Sequence, residues 1–60
     1  MELNFIEVTL ENGSKYSFRI ERLKAFRSLN ENKIRIFLDN DIDYDINENY
    51  NEFINRIKKL

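Results

Sequence analysis

The sixty-residue sequence contains no cysteine, histidine, proline or tryptophan, and its single glycine is Gly13. Without cysteine, the chain has no disulfide to staple it and no thiolate to bind zinc. Without histidine, it has no imidazole to act as a general base, to complete a catalytic triad or to bind a metal. One glycine is too few for a phosphate-binding glycine loop. These absences predict a protein that is not an enzyme and that carries no cofactor.

Long apolar runs are missing as well. No segment approaches the roughly 18 consecutive apolar residues of a membrane-spanning helix. The first residues, Met1–Asn4, show no basic region followed by an apolar run, which is the pattern of a secretory signal peptide. The sequence therefore predicts a cytoplasmic protein with no membrane partner.

The short length of the chain predicts a single domain over residues 1–60. A chain of this size buries only about 60% of the surface that its unfolded form exposes, so its stability is expected to be marginal. Association is one of the few remaining ways to stabilise a small chain that has no disulfides. The sequence therefore favours a homo-oligomer.

Two different periodicities divide the chain. Apolar and polar residues alternate over residues 6–11, 16–21 and 34–46, which is the period of strands with one buried face. Apolar residues then recur at helical spacing after Asn49, which is a good N-cap residue with Glu52 three positions later. Asn47 is an alternative N-cap, with Glu48 in the first turn. The helical stripe consists of Tyr50, Phe53, Ile54, Ile57 and Leu60. The sequence predicts an α+β fold, in which a small antiparallel β-meander of four to five strands is packed by one C-terminal α-helix.

The apolar faces of the strands predict the registers of two hairpins. A two-residue turn at Asn12–Gly13 would place Leu10 beside Lys15, whereas a three-residue loop keeps apolar residues together. The predicted pairs are Leu10 with Tyr16, Val8 with Phe18, and Ile6 with Ile20, with Glu11 opposite Lys15 and Glu7 opposite Arg19 outside. The same reasoning in the second hairpin pairs Leu38 with Ile42, Ile36 with Tyr44, and Ile34 with Ile46. This register sets Arg35 opposite Asp45 on the outer face.

Residues 21–29 allow two interpretations. A helical turn at Arg22–Phe26 followed by a short strand fits the spacing of three between some apolar residues. A bend at Arg22–Leu23 followed by an extended segment to Ser28 or Leu29 fits a meandering sheet, because the segment is short for a well-packed helix. The second interpretation is preferred.

The net charge of −1 conceals a segregation of charge along the chain, with basic residues concentrated in 15–35 and acidic residues in 39–52. An outward basic set near the aromatic Phe37 suggests, as an alternative function, a sheet face that binds single-stranded nucleic acid. Cross-strand acids would neutralise several of these cations, so an ion-paired solvated face is the favoured interpretation. The basic set consists of Arg19, Arg22, Lys24, Arg27, Lys33 and Arg35.

The acidic segment has the spacing of a calcium loop. Asp41, Asp43, Asp45 and Glu52 match positions 1, 3, 5 and 12 of an EF-hand loop. Position 6, which requires glycine, is occupied by Ile46, and the alternating pattern is that of a strand. We therefore interpret the acids as the solvated side of a strand, where charge discourages edge-to-edge aggregation, and predict no metal site.

Several apolar residues do not fit the buried faces. Phe37 falls on the polar side of its strand, and Leu3 and Phe5 are out of phase with the alternation that follows them. If such residues cluster, they form an association surface. With Arg35, they are the predicted partner-binding residues of a non-catalytic module that binds itself or another protein.

Three segments carry a family resemblance: Val8–Gly13, Ile34–Asn40 and Asn49–Ile54. Together with the order of strands, turn, bend and capped helix, they make the chain resemble the FlbD-like small flagellar and swarming proteins. The resemblance implies a non-enzymatic accessory role in motility. It implies no catalytic residues.

Overall fold

The computed structural model describes residues 4–59, in which five antiparallel strands precede one helix. The predicted α+β class with a C-terminal helix is confirmed. The strands form two sheets, β1-β2 and β3-β4-β5, so the prediction of one continuous meander is wrong. The elements are β1 (Phe5–Thr9), β2 (Lys15–Arg19), β3 (Leu23–Asn30), β4 (Lys33–Leu38), β5 (Asp43–Ile46) and α1 (Tyr50–Lys58).

A short 3-10 turn at Ile20–Arg22 separates the two sheets along the chain. The strand that follows it, β3, confirms the extended interpretation of this region and shows that the alternative helical turn at Arg22–Phe26 is wrong. The sheets meet again where Leu10 forms an isolated bridge with Ile46. Two further backbone hydrogen bonds support the junction, from Glu11 to Asp45 at 3.1 Å and from Asn47 to Thr9 at 2.9 Å. The second sheet therefore joins the first through its last strand.

The first hairpin has the predicted loop length but a different register. Val8 lies opposite Tyr16 and Ile6 opposite Phe18, a shift of two residues from the prediction. The loop is Glu11–Gly13, closed by a 2.8 Å hydrogen bond from the Leu10 N–H to the Ser14 carbonyl. Gly13 has φ +91°, and a three-residue hairpin loop requires this left-handed conformation at its last position. Glycine therefore sets the register, and a shift of two residues keeps the same side chains on the inner face.

The second hairpin has the predicted register. Ile34 pairs with Ile46 and Ile36 with Tyr44. The loop Asp39–Asp41 is closed by a 3.0 Å hydrogen bond from Leu38 to Ile42, with Asp41 at φ +65°. Ile42, which the alternation predicts to face inward, is exposed because it closes the loop before β5 begins.

The helix begins as predicted. The Asn49 side chain accepts hydrogen bonds from the backbone N–H groups of Asn51 and Glu52, at 3.0 and 3.2 Å. Phe53 is fully buried, and its ring makes a T-shaped contact with that of Phe26 at a centroid distance of 5.1 Å. Tyr50 lies at the rim of the core, more exposed than its place in the helical stripe suggests.

The core lies between the inner faces of the strands and α1. Its buried residues are Ile6, Val8, Phe18, Ile34, Ile36, Leu38, Ile46 and Phe53. Three of them, in β4, alternate with residues that point to the other side of the sheet. Between residues 4 and 59, no helix has the length and hydrophobicity that crossing a bilayer requires. The helix covers one side of the three-stranded sheet and leaves the other side available.

Candidate interaction surface on the three-stranded sheet

The side of the three-stranded sheet that faces away from the core is built by strand alternation. Its central strand, β4, is hydrogen-bonded on both sides, and its buried residues fix the orientation of the residues between them. We call this side the outer face. It is defined by two rows of cross-strand neighbours, which are Ala25, Phe37 and Asp43 in one row and Arg27, Arg35 and Asp45 in the other.

Phe37 occupies the middle of the outer face. Its neighbours across the sheet are Ala25 on β3 and Asp43 on β5. Alanine contributes only a methyl group and aspartate a short polar side chain, and Phe37 remains partly exposed. Aromatic side chains held on rigid elements supply much of the energy at protein interfaces. The predicted partner-binding residue Phe37 therefore lies where a partner can reach it.

Arg35 is held against Asp45 by two hydrogen bonds. Its Nε donates to one carboxylate oxygen at 2.7 Å and its Nη2 to the other at 3.2 Å. This bidentate geometry fixes both side chains on the outer face. The hydrogen bond from Arg35 lowers the pKa of Asp45 from its ordinary value of 3.8, and the hydrogen bond to Asp45 raises the pKa of Arg35. The predicted cross-strand position is confirmed, and Arg35 is a neutralised cation.

This pair predicts a pH dependence of stability. The pKa of Asp45 is lower in the folded state than its ordinary value of 3.8. The ionised carboxylate therefore stabilises the folded state fully above this ordinary value, and the stabilisation is lost as the pH falls through the folded pKa. We expect Asp45→Asn to reduce the loss of stability on acidification, measured as the difference in urea midpoint between about pH 6 and about pH 3. The matched control is Asp43→Asn on the same strand, which leaves the Arg35–Asp45 pair in place and should therefore change this difference less than Asp45→Asn does. An equal effect of both substitutions would contradict the role of the pair.

Arg27 and Asp43 are the two charged residues of the outer face that form no ion pair within residues 4–59. Arg27 lies directly opposite Arg35, so it faces a like charge across the strands. Asp43 lies opposite Phe37. The outer face thus carries a free positive charge on β3, an aromatic ring and a neutralised pair on β4, and a free negative charge on β5. The sequence pattern does not determine this order, because alternation alone does not predict the register of β3 against β4.

The predicted basic set is largely neutralised. Five of its six members bind carboxylates, and Arg27 is the exception in the part of the chain that the structure describes. Arg19, moreover, lies on the other sheet. Exposed ion pairs contribute little stability, but they reduce the charge available to a polyanion. The pairs are Arg19–Glu21, Arg22–Asp39, Lys24–Asp41, Lys33–Glu11 and Arg35–Asp45.

Of the other predicted partner-binding residues, Phe5 is not part of the outer face. Phe5 is 52% exposed but lies on β1, opposite Arg19, in the two-stranded sheet. Leu3 lies outside the described residues. The structure therefore places Phe37 and Arg35 on one surface and Phe5 on another.

A shallow open groove of about 430 Å³ borders the outer face, between the loop of the first hairpin and β5. No group of three or more possible metal ligands occurs between residues 4 and 59. Two acids of the calcium-like spacing, Asp41 and Asp45, instead bind Lys24 and Arg35. The groove is lined by Leu10, Glu11, Asn12, Arg35, Asp43, Tyr44 and Asp45.

No protein-family model, curated protein or solved structure matches this chain. The FlbD-like resemblance therefore stays a prediction.

Proposed function

We propose that this protein is a non-catalytic interaction module that self-associates through the outer face. The observation that carries the proposal is the position of Phe37, which is partly exposed in the middle of the only central strand of the three-stranded sheet. An aromatic residue on a sheet face turned away from the core contributes little to the packing of the core. Its burial by a partner removes apolar surface from water.

The outer face is also preorganised for binding. Strand β4 is hydrogen-bonded along both edges, and Arg35 is fixed by its two bonds to Asp45. A surface that is already ordered loses little conformational entropy when a partner binds. A small chain with a marginal core gains stability from such association, because binding that is specific to the folded state shifts the folding equilibrium.

The nucleic-acid alternative has less support from the same surface. Binding to a polyanion depends on cations that are free to displace counterions from phosphates. Five of the six residues in the basic set already bind carboxylates. The ion pairs therefore favour a protein partner over a nucleic acid.

The proposal is tested by sedimentation equilibrium with Phe37→Glu. We expect the wild-type protein to gain mass between about 10 µM and about 1 mM, and the variant to associate at least about tenfold more weakly. The reason is that association would bury the introduced carboxylate. Phe5→Glu, which changes the exposed phenylalanine of the other sheet, is the matched control and should associate like the wild type. A wild-type protein that stays monomeric at the highest concentration contradicts the proposal, as does unchanged association of Phe37→Glu.

A further inference from the structure

The charges of the outer face change sign across the strands. On this face, β3 carries Arg27 and β5 carries Asp43, neither of which forms an ion pair within residues 4–59, whereas Asp45 is already bound by Arg35. The central strand contributes Phe37 and the neutralised Arg35. The face is therefore positive along one edge, apolar or neutral along its middle and negative along the other edge.

This order distinguishes two ways of stacking two copies face to face. A two-fold axis parallel to the strands turns the second copy so that its β5 covers β3 of the first, and the reverse contact follows by symmetry. A two-fold axis perpendicular to the strands, in the plane between the faces, covers β3 with β3 and β5 with β5. The first arrangement brings opposite charges together twice, whereas the second brings like charges together twice.

We propose that the outer face binds a second copy of this chain about a two-fold axis parallel to β4. In this dimer, Phe37 of each copy packs near the axis against Phe37 of the other. Arg27 of each copy lies over the acidic strand of the other and pairs with its Asp43. The inference rests on the proposed function, which it extends by giving the orientation of the second copy and the charge pairs that fix it.

The geometry of sheets is compatible with this pairing. Outward residues along one strand are about 7 Å apart, so an extended Arg27 side chain can reach the Asp43 position from a place above Asp45. Arg35 also lies near the axis, but its charge is already balanced by Asp45 within its own copy. A second copy therefore supplies an opposite charge to each of the two unpaired residues, Arg27 and Asp43.

The size of the face sets the expected strength of the dimer. Three strands spaced about 4.8 Å apart and about six residues long form a face of roughly 300 Å². Two such faces bury roughly 600 Å², which is below the roughly 1,200 Å² of stable protein interfaces. The dimer is therefore weak, with a dissociation constant on the order of 100 µM, and its detection requires a concentrated sample.

A charge-swap experiment tests the orientation. In the homodimer of Arg27→Glu, the glutamate at position 27 of each copy faces Asp43 of the other. In the homodimer of Asp43→Arg, the arginine at position 43 of each copy faces Arg27 of the other. Both homodimers therefore bring like charges together twice. Each variant alone should associate about tenfold more weakly than the wild type. An equimolar mixture should regain about wild-type affinity, because Glu at position 27 then faces Arg at position 43, while the unchanged Arg27 and Asp43 form the second pair. Titrating isotope-labelled Arg27→Glu with unlabelled Asp43→Arg, observed by NMR, measures this affinity.

The outcomes separate this inference from the proposed function. If Phe37→Glu abolishes association but the mixture does not regain it, or if the single variants associate like the wild type, the orientation is wrong and the interaction face remains. If Phe37→Glu associates like the wild type, or the wild type is monomeric, both proposals are wrong. Folding of the single variants is checked by urea denaturation. Arg27→Glu should be at least as stable as the wild type, because it replaces the like charge opposite Arg35 by an opposite one.

Discussion

Replacing Phe53 with alanine is expected to lower the free energy of unfolding by about 3–5 kcal/mol. Phe53 is fully buried, and its ring makes a T-shaped contact with that of Phe26 at a centroid distance of 5.1 Å, so the substitution leaves a cavity between α1 and β3. At about 0.05–0.15 kcal/mol per residue, the whole chain has a stability of only about 3–9 kcal/mol. The variant should therefore lose a large part or all of its stability, which circular dichroism and urea denaturation measure directly.

Tyr50→Ala provides the matched control for this substitution. Tyr50 lies one helical turn earlier and also contacts Phe26, at 5.6 Å, but it is partly exposed. We expect a loss of about 1 kcal/mol, close to the value of a single aromatic pair. A Phe53→Ala protein as stable as the Tyr50→Ala protein would mean that α1 does not complete the core.

Arg56→Ala is expected to lower the free energy of unfolding by about 1.5–3 kcal/mol, although Arg56 is largely a surface residue. Its Nη1 donates to both carboxylate oxygens of Glu48, at 2.7 and 2.8 Å, and its Nη2 donates to the Glu7 carbonyl at 2.5 Å. The Glu48 side chain is only 12% exposed, so removing Arg56 leaves a largely buried carboxylate without its partner. The same change disconnects the last turn of the helix from β1. Urea denaturation measures the loss.

Two further variants define the cause of this effect. Lys58→Ala, in the same last helical turn, removes an exposed cation and should change stability by less than about 0.5 kcal/mol. The double variant of Glu48→Ala and Arg56→Ala should lose less than the sum of the two single losses, because the two residues interact. Additive losses would show that the ion pair is not the source of the effect.

The second hairpin and the helix start could be predicted because short-range chemistry determines them. Apolar alternation fixes the parity of β4 and β5, and Asp41 tolerates the left-handed conformation that a three-residue loop needs. Asn49 is an effective N-cap on local grounds alone. The predicted register of the first hairpin differs from the structure by two residues, because such a shift leaves the alternation of apolar and polar residues unchanged. The position of Gly13 in the loop, which alternation does not determine, decides between the two registers.

The division into two sheets had no clear local signal. The 3-10 turn at Ile20–Arg22 begins at the residue after the end of β2. The sequence around this turn is equally compatible with a bend inside a single meander. Part of the outer face could be predicted from the sequence, since strand alternation places Phe37 and Arg35 on the side away from the core. The positions of Arg27 and Asp43 on the same face follow only from the pairing of β3 with β4 and of β4 with β5.

The bridge between Leu10 and Ile46 has a consequence for the kinetics of folding. Each hairpin closes a loop of a few residues, whereas this bridge joins positions that are far apart in the chain, and the entropy lost on loop closure rises with loop length. A two-stranded hairpin such as β1-β2 is only marginally stable by itself. We therefore expect the junction to form late and the chain to fold as a single cooperative unit, so that the first hairpin and the outer face gain their stability in the same step.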